Sequence, residues 1–424
     1  MRSGSYGEYY QDCYIIKLDV DVNFENIGFS DNFEQFGTLI HEYIHFLQNM
    51  STCYGYVSMA VFYAKMLNIL HQLGTCSDNI VSRIITNSKD IEHVVARQEI
   101  ALGDKDSWTY EYYDFISIEG FSLIKDEFMD EYADSTVPLV NLVLVRERII
   151  ERKMLNFGAM CIMESMADML ERHIFGKSKN GEFVQYDICE KLWEYVFGND
   201  VNQRKLVFRC CEYSLMYENP GQIFYCALVF LKKNVVHVTT EAIDEFFLNN
   251  LKPFYLKRFD DWYNEMMRLF GQLVPVDNSQ LRPLRNYIEY FSDYFHNLQK
   301  EKPLIFTNIF SLCPEMAKLK IIEFMHVACP LIINKDNEVY VSDLLENNKL
   351  GLEEYAAFYA LYRMTGIKGV KHCLLTEYCK VNTNCKVTQC CYVKPLLSKY
   401  RENLCLLGQL LVTWNIKADY FLDS

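Results

Sequence analysis

The chain has 424 residues, half of them hydrophobic, which excludes a disordered protein and leaves room for one large core or two to three ordinary domains. A formal charge of −14 opposes binding to nucleic acid or to anionic membranes, so neither is expected as a partner. The first residues lack a charged segment followed by an apolar run, and PLVNLVLV (Pro138–Val145) is too short to cross a bilayer. A cytoplasmic protein is therefore expected, with its 16 cysteines kept as thiols.

In chain order, residues 8–29 hold short alternating runs such as YIIKLDVDVNF, which read as one or two strands. Asp31 and Asn32 read as an N-cap for a helix running to about Met50, and helical patterning continues through 55–73. Residues 78–135 are mixed, and SWTYEYYDFISIEGF within them reads as a β-hairpin or a loop. From about Asn141 to His173 the pattern is helical again. Turn signals follow at Gly198–Asn202 and at Glu218-Asn-Pro-Gly221. Further helices are expected over 241–271, 280–299, 315–327 and 352–364. With only nine prolines and 18 glycines, the chain is expected to be mainly α (α+β), with a small β component near the N-terminus and a second around 105–125. Breaks near Gly176–Gly181 and Lys300–Pro303 suggest regions 1–176, 177–302 and 303–424.

One segment carries chemistry: Gly37-Thr-Leu-Ile-His41-Glu42-Tyr-Ile-His45-Phe-Leu-Gln48. Histidines at i and i+4 lie one turn apart on a helix face and can converge on one ion. Glu42 follows His41, where it can reach a water in the open coordination position as general base. Phe36, Leu39, Ile40, Tyr43, Ile44 and Leu47 form the core stripe of that helix, and His41, His45 and Gln48 a polar stripe beside it.

A catalytic zinc needs a third protein ligand. Glu164 and Asp168, one turn apart in the otherwise apolar MCIMESMADML, are carboxylates that need positive partners. Together the two segments resemble the gluzincin branch of the zinc metallopeptidases (zincins). The resemblance implies a zincin-like helical core with Zn2+ held by His41, His45 and Glu164, and Asp168 hydrogen-bonded to His41. It covers about 30 residues. Met163 stands where that family often has Asn, and the 118 residues between the motifs imply an inserted region. The metzincin pattern is absent, since Ser51 stands six residues after His45, and no HxxEH occurs. The expected function is hydrolysis of peptide bonds in an intracellular protein or peptide, by a selective regulatory enzyme or a toxin or defence protease. The oxyanion donor stays open among Tyr54, Tyr56, His173, Tyr217 and Tyr225.

Other readings remain. Glu42-x-x-His45 and Glu323-x-x-His326 are both ExxH pairs, and with Glu164 and Glu354 they would make a di-iron carboxylate set that leaves His41 unused. A catalytically inactive interaction protein is the non-enzymatic alternative. Residues 366–401 are locally basic and would suit an acidic partner. Within that segment His372, Cys373, Cys379, Cys385, Cys390 and Cys391 lack the CxxC spacing of structural zinc sites.

Overall fold

The computed structural model describes residues 7–10, 14–20, 22, 36–72, 88–125, 136–176, 181–199, 203–250, 252–274, 282–335 and 339–340. The expected cap at Asp31 and Asn32, the helix at 352–364 and the basic cysteine-rich segment lie outside these residues. The described residues divide into two compact units. The larger comprises those within Met1–Met59, Val94–Glu265 and Phe291–Ser342, and the smaller those within Ala60–His93 and Met266–Tyr290.

The protein is mainly α-helical with a small β component. Strands β1 (Gly7–Tyr10) and β2 (Ile15–Leu18) are followed by α1 (Thr38–Ser51), α2 (Cys53–Gln72) and α3 (Ser88–Leu102). Three short or long strands come next, β3 (Tyr112–Tyr113), β4 (Phe115–Lys125) and β5 (Thr136–Arg146), then β6 (Ile149–Asn156) and α4 (Ala159–Phe175). After β7 (Glu182–Phe183) the chain is helical: α5 (Val184–Phe197), α6 (Gln203–Leu215), α7 (Pro220–Asn234), α8 (Thr240–Glu245), α9 (Lys252–Leu273), α10 (Arg282–Glu301), α11 (Ile305–Phe310) and α12 (Pro314–Val327). Strands β8 (Leu331–Ile333) and β9 (Val339–Tyr340) close the described chain. Among the described residues no helix is long and apolar enough to cross a membrane.

The turn signal at 218–221 is realised at the start of α7. The Asn219 side chain accepts from Gln222 N–H at 3.2 Å and Pro220 takes the first helical position, where its missing N–H costs nothing. The helical reading of 141–173 is corrected. Its first part is strand, and the helix begins only at Ala159. The β-branched run of β5 alternates, with Val140, Leu142 and Leu144 buried and the residues between them partly exposed. It pairs with β4 on one side and β6 on the other, and the two-residue turn to β6 places Glu147 (φ 50°) and Arg148 (φ 69°) in the left-handed region that tight hairpins use.

The N-terminal strands are half of a sheet ordered β1-β2-β8-β9, in which β2 runs parallel to β8 through Ile15↔Leu331. This sheet lies against α1. Edge-on ring contacts of Phe46 with Tyr9, Tyr14, Phe291 and Phe295, all 5.5–6.3 Å between centroids, fill the space around it. Residues Leu39–Ser51 of α1 are all buried. In the smaller unit, Tyr63 packs on Phe270 at 5.3 Å and the Arg285 guanidinium donates to Val274 O at 2.9 Å.

The start of α4 is fixed by a backbone crossing. A Cβ on Gly158 would lie 2.5 Å from Gly103 N and 2.6 Å from Ala101 O, so only glycine admits this approach. Replacement Gly158→Ala should lower stability by about 1–3 kcal/mol, read as a fall in Tm and in urea midpoint. A second test concerns Glu212 of α6, which is buried and accepts the backbone N–H groups of Phe306 (3.0 Å) and Thr307 (2.6 Å) at the start of α11. Burial pushes its pKa up from 4.5 to about 7, against the pull of those hydrogen bonds. Between these values the folded chain holds a proton that the unfolded chain has lost, so stability falls as pH rises from about 4.5 to 7. That loss is on the order of 3 kcal/mol, and Glu212→Gln should flatten this part of the stability–pH curve.

Candidate metal centre

Helices α1 and α4 cross so that the polar stripe of one meets the carboxylates of the other. His41, His45 and Glu164 offer ligand atoms that all lie within 4.8 Å of one another, and this is the one such group found among the described residues. His41 Nε2 is 3.1 Å and His45 Nε2 3.4 Å from the same oxygen, Glu164 Oε2. The two imidazoles stand nearly perpendicular, 4.9 Å apart. Each retains a little exposure, at 8%.

The outer ring nitrogens are committed elsewhere. His41 Nδ1 is 3.1 Å from Glu171 Oε2, and His45 Nδ1 is 2.9 Å from Gln48 Oε1. The Gln48 amide is itself oriented, because its Nε2 donates to Met163 O at 3.1 Å. With protons on both Nδ1 atoms, both Nε2 lone pairs face Glu164. This is the tautomer and the aim that metal ligation requires. The residues present therefore fit a cation such as Zn2+: two imidazole nitrogens and one carboxylate, with acceptors behind both rings.

Charge points the same way. Glu42, Glu164 and Glu171 surround two imidazoles in a nearly closed place. With neutral imidazoles that excess of negative charge is costly to bury, and either two protons or one divalent cation offsets it. Burial lowers the His41 pKa, but hydrogen bonds and charge from Glu164 and Glu171 outweigh it and hold the value well above the ordinary 6.5. His45 is raised on the same balance, with burial opposed chiefly by the Glu164 charge. Burial would raise Glu164, yet the charge of His45 and the hydrogen bond from His41 hold it well below the usual carboxylate range. Glu42 is raised by burial, countered in part by the two histidines and by the backbone N–H of Tyr9. Strand β1 passes close to it: a Cβ on Gly7 would lie 3.0 Å from Glu42 Cγ.

The expectation that Asp168 holds His41 is corrected: Glu171 stands at Nδ1 instead. Seven residues bring a helical position back to within about 20° of Glu164, whereas four leave it about 40° away. Glu171 also reaches further. Asp168, 2% exposed, pairs with Arg172 at 2.7 Å. Arg172 also binds Glu190 (2.6 Å), which Arg204 approaches at 2.8 Å, so this group ties α4 to α5 behind the site. Three of the five candidate oxyanion donors are engaged with other partners. Tyr56 donates to Met50 O, His173 to Leu312 O, and Tyr225 packs on Phe121. The phenols at the site are Tyr110, whose hydroxyl donates to Glu164 Oε1 at 3.4 Å, and Tyr186, edge-on to the His41 ring at 5.7 Å. Burial and the Glu164 charge push the Tyr110 pKa far up, so it stays a donor. No spacing rule singles out Tyr110 or Tyr186 from the 30 tyrosines; they come from a 3-10 turn and from α5, far along the chain. Glu171 was within reach, because it extends the 164/168 stripe by one step.

The second ExxH pair does not join this cluster. Glu323 and His326 are exposed, and Glu323 pairs with Lys320 at 2.8 Å. Glu354 lies outside the described residues.

Zinc titration against a chelator should distinguish these roles. Gln48→Ala and Glu171→Ala are each expected to weaken zinc binding about 10–100-fold. Asp168→Asn should leave zinc affinity near wild type and lower thermal stability instead, because it breaks a buried ion pair.

The sequence matches no protein-family model, no curated protein and no solved structure.

Proposed function

We propose that the protein is a cytoplasmic zinc-dependent metallopeptidase that hydrolyses peptide bonds in a protein or peptide substrate. The observation that carries this reading is the shared aim of His41 Nε2 and His45 Nε2 at Glu164 Oε2, with both Nδ1 atoms held from behind. Zinc bound there would acidify a water and polarise the scissile carbonyl. Glu42 sits next to His41 on the same helix, with its pKa raised, and would take the water's proton and pass it to the leaving amine. The Tyr110 hydroxyl donates to Glu164 and would steady the developing oxyanion. The small residual exposure of the site suits a chain-like substrate entering in extended form, or a step that opens the site first.

The test pairs elemental analysis with a peptide-library digest. Wild type should bind one zinc and cleave. Glu42→Gln should keep the zinc and lose at least about 10²–10⁴-fold in rate, the usual share of a general base. Glu164→Ala should lose zinc and activity together. Zinc retained in full by Glu164→Ala, or cleavage undiminished in Glu42→Gln, would overturn the reading.

A further inference from the structure

The sheet β4-β5-β6 has two edges. At the β4 edge, Glu182 accepts the Ile116 N–H. At the β6 edge only the last residue is covered: Asn156 N–H donates to Asp104 Oδ2 at 2.8 Å, and Asp104 N–H donates to Asn156 O at 3.0 Å. Phe157 N–H donates the other way, to Pro138 O on β5. Backbone groups alternate direction along an antiparallel strand, so Ile150, Arg152 and Met154 turn their N–H and C=O outward. Among the described residues no strand pairs with this edge.

The exposed edge also carries large apolar side chains among its charged ones. Ile149, Ile150 and Met154 are 61%, 63% and 66% exposed. Between them stand Glu151, Arg152 and Lys153. We propose that β6 pairs antiparallel with β6 of a second copy of this chain, about a two-fold axis at Arg152. Only registers that place outward-facing residues opposite one another can form the ladder. With Arg152 on the axis, Ile150 faces Met154 of the partner subunit and Glu151 faces Lys153 of the partner subunit, each twice by symmetry. Sliding one step either way sets Glu151 against Glu151 or Lys153 against Lys153. The two arginines on the axis are each neutralised within their own chain, since Glu119 holds the Arg152 guanidinium with contacts of 3.1–3.2 Å. Glu151 and Lys153 already lie 3.3 Å apart in one chain, so pairing turns two such couples into a four-charge cluster. The contact does not involve the metal centre and is independent of the reading given to it.

Light scattering and sedimentation equilibrium on the full chain test this. At micromolar concentration the mass should approach twice 50.0 kDa, with or without a chelator present. Glu151→Lys should weaken the dimer at least about tenfold, and Lys153→Glu added to it should restore the dimer, because the pairs are then reversed. Arg152→Pro removes an outward N–H that no described residue accepts, and should give a monomer with an unchanged circular dichroism spectrum. A wild-type chain that stays monomeric up to about 100 µM, far above the Kd of a specific contact, would overturn the proposal. So would a dimer indifferent to Glu151→Lys and its reversal, which would place the interface elsewhere.

Discussion

The structure around the candidate centre turns on one constraint: three carboxylates and two imidazoles are held where water scarcely reaches. Glu42, Glu164 and Glu171 cannot share that volume with neutral rings without a cation or protons. A helix carrying such groups on one face must meet a partner that answers them. That requirement selects the crossing of Thr38–Ser51 with Ala159–Phe175. The close backbone passage at Gly103 and Gly158 and the Arg172 cluster then hold the second helix in the position the first demands.

The supports of the site are placed economically. Gln48 serves both helices at once, accepting from His45 and donating to the carbonyl of Met163, the residue just before Glu164. His41 spans two turns of the opposite helix, with one ring nitrogen on Glu164 and the other on Glu171. The rings are held in their tautomers by residues that the sequence places on the same stripes as the ligands themselves.

The candidate ligand set was legible because helical periodicity is a local property. His41 and His45, and then Glu164, are each visible as a polar residue in an apolar window, and spacing alone gives their faces. The choice between Asp168 and Glu171 was not, because it depends on how the two helices cross and on the length of one side chain. Tyr110 and Tyr186 were illegible for a related reason: their approach to the site is made by a turn and a helix with no shared pattern. The strand residues from 141 to 156 read as helix because a run rich in Leu and Val satisfies both periods, and the left-handed turn at Glu147-Arg148 uses neither Gly nor Asn to announce itself. The partner of the N-terminal strands was invisible, since parallel pairing leaves no local mark.

That parallel pairing has a consequence for how the chain is made. Ile15 is joined to Leu331, and the hydroxyl of Tyr43, on the helix bearing both histidines, donates to Ala328 O at 2.6 Å. A ribosome adding about 5–20 residues each second needs on the order of tens of seconds to travel from the first of these residues to the last. For most of that interval the histidine helix is present while the segment that clasps it has not been synthesised. Assembly of the candidate centre is thus a late event in the life of each new chain, and a chain truncated before residue 328 would carry His41, His45 and Glu164 yet lack the clasp behind the histidine helix.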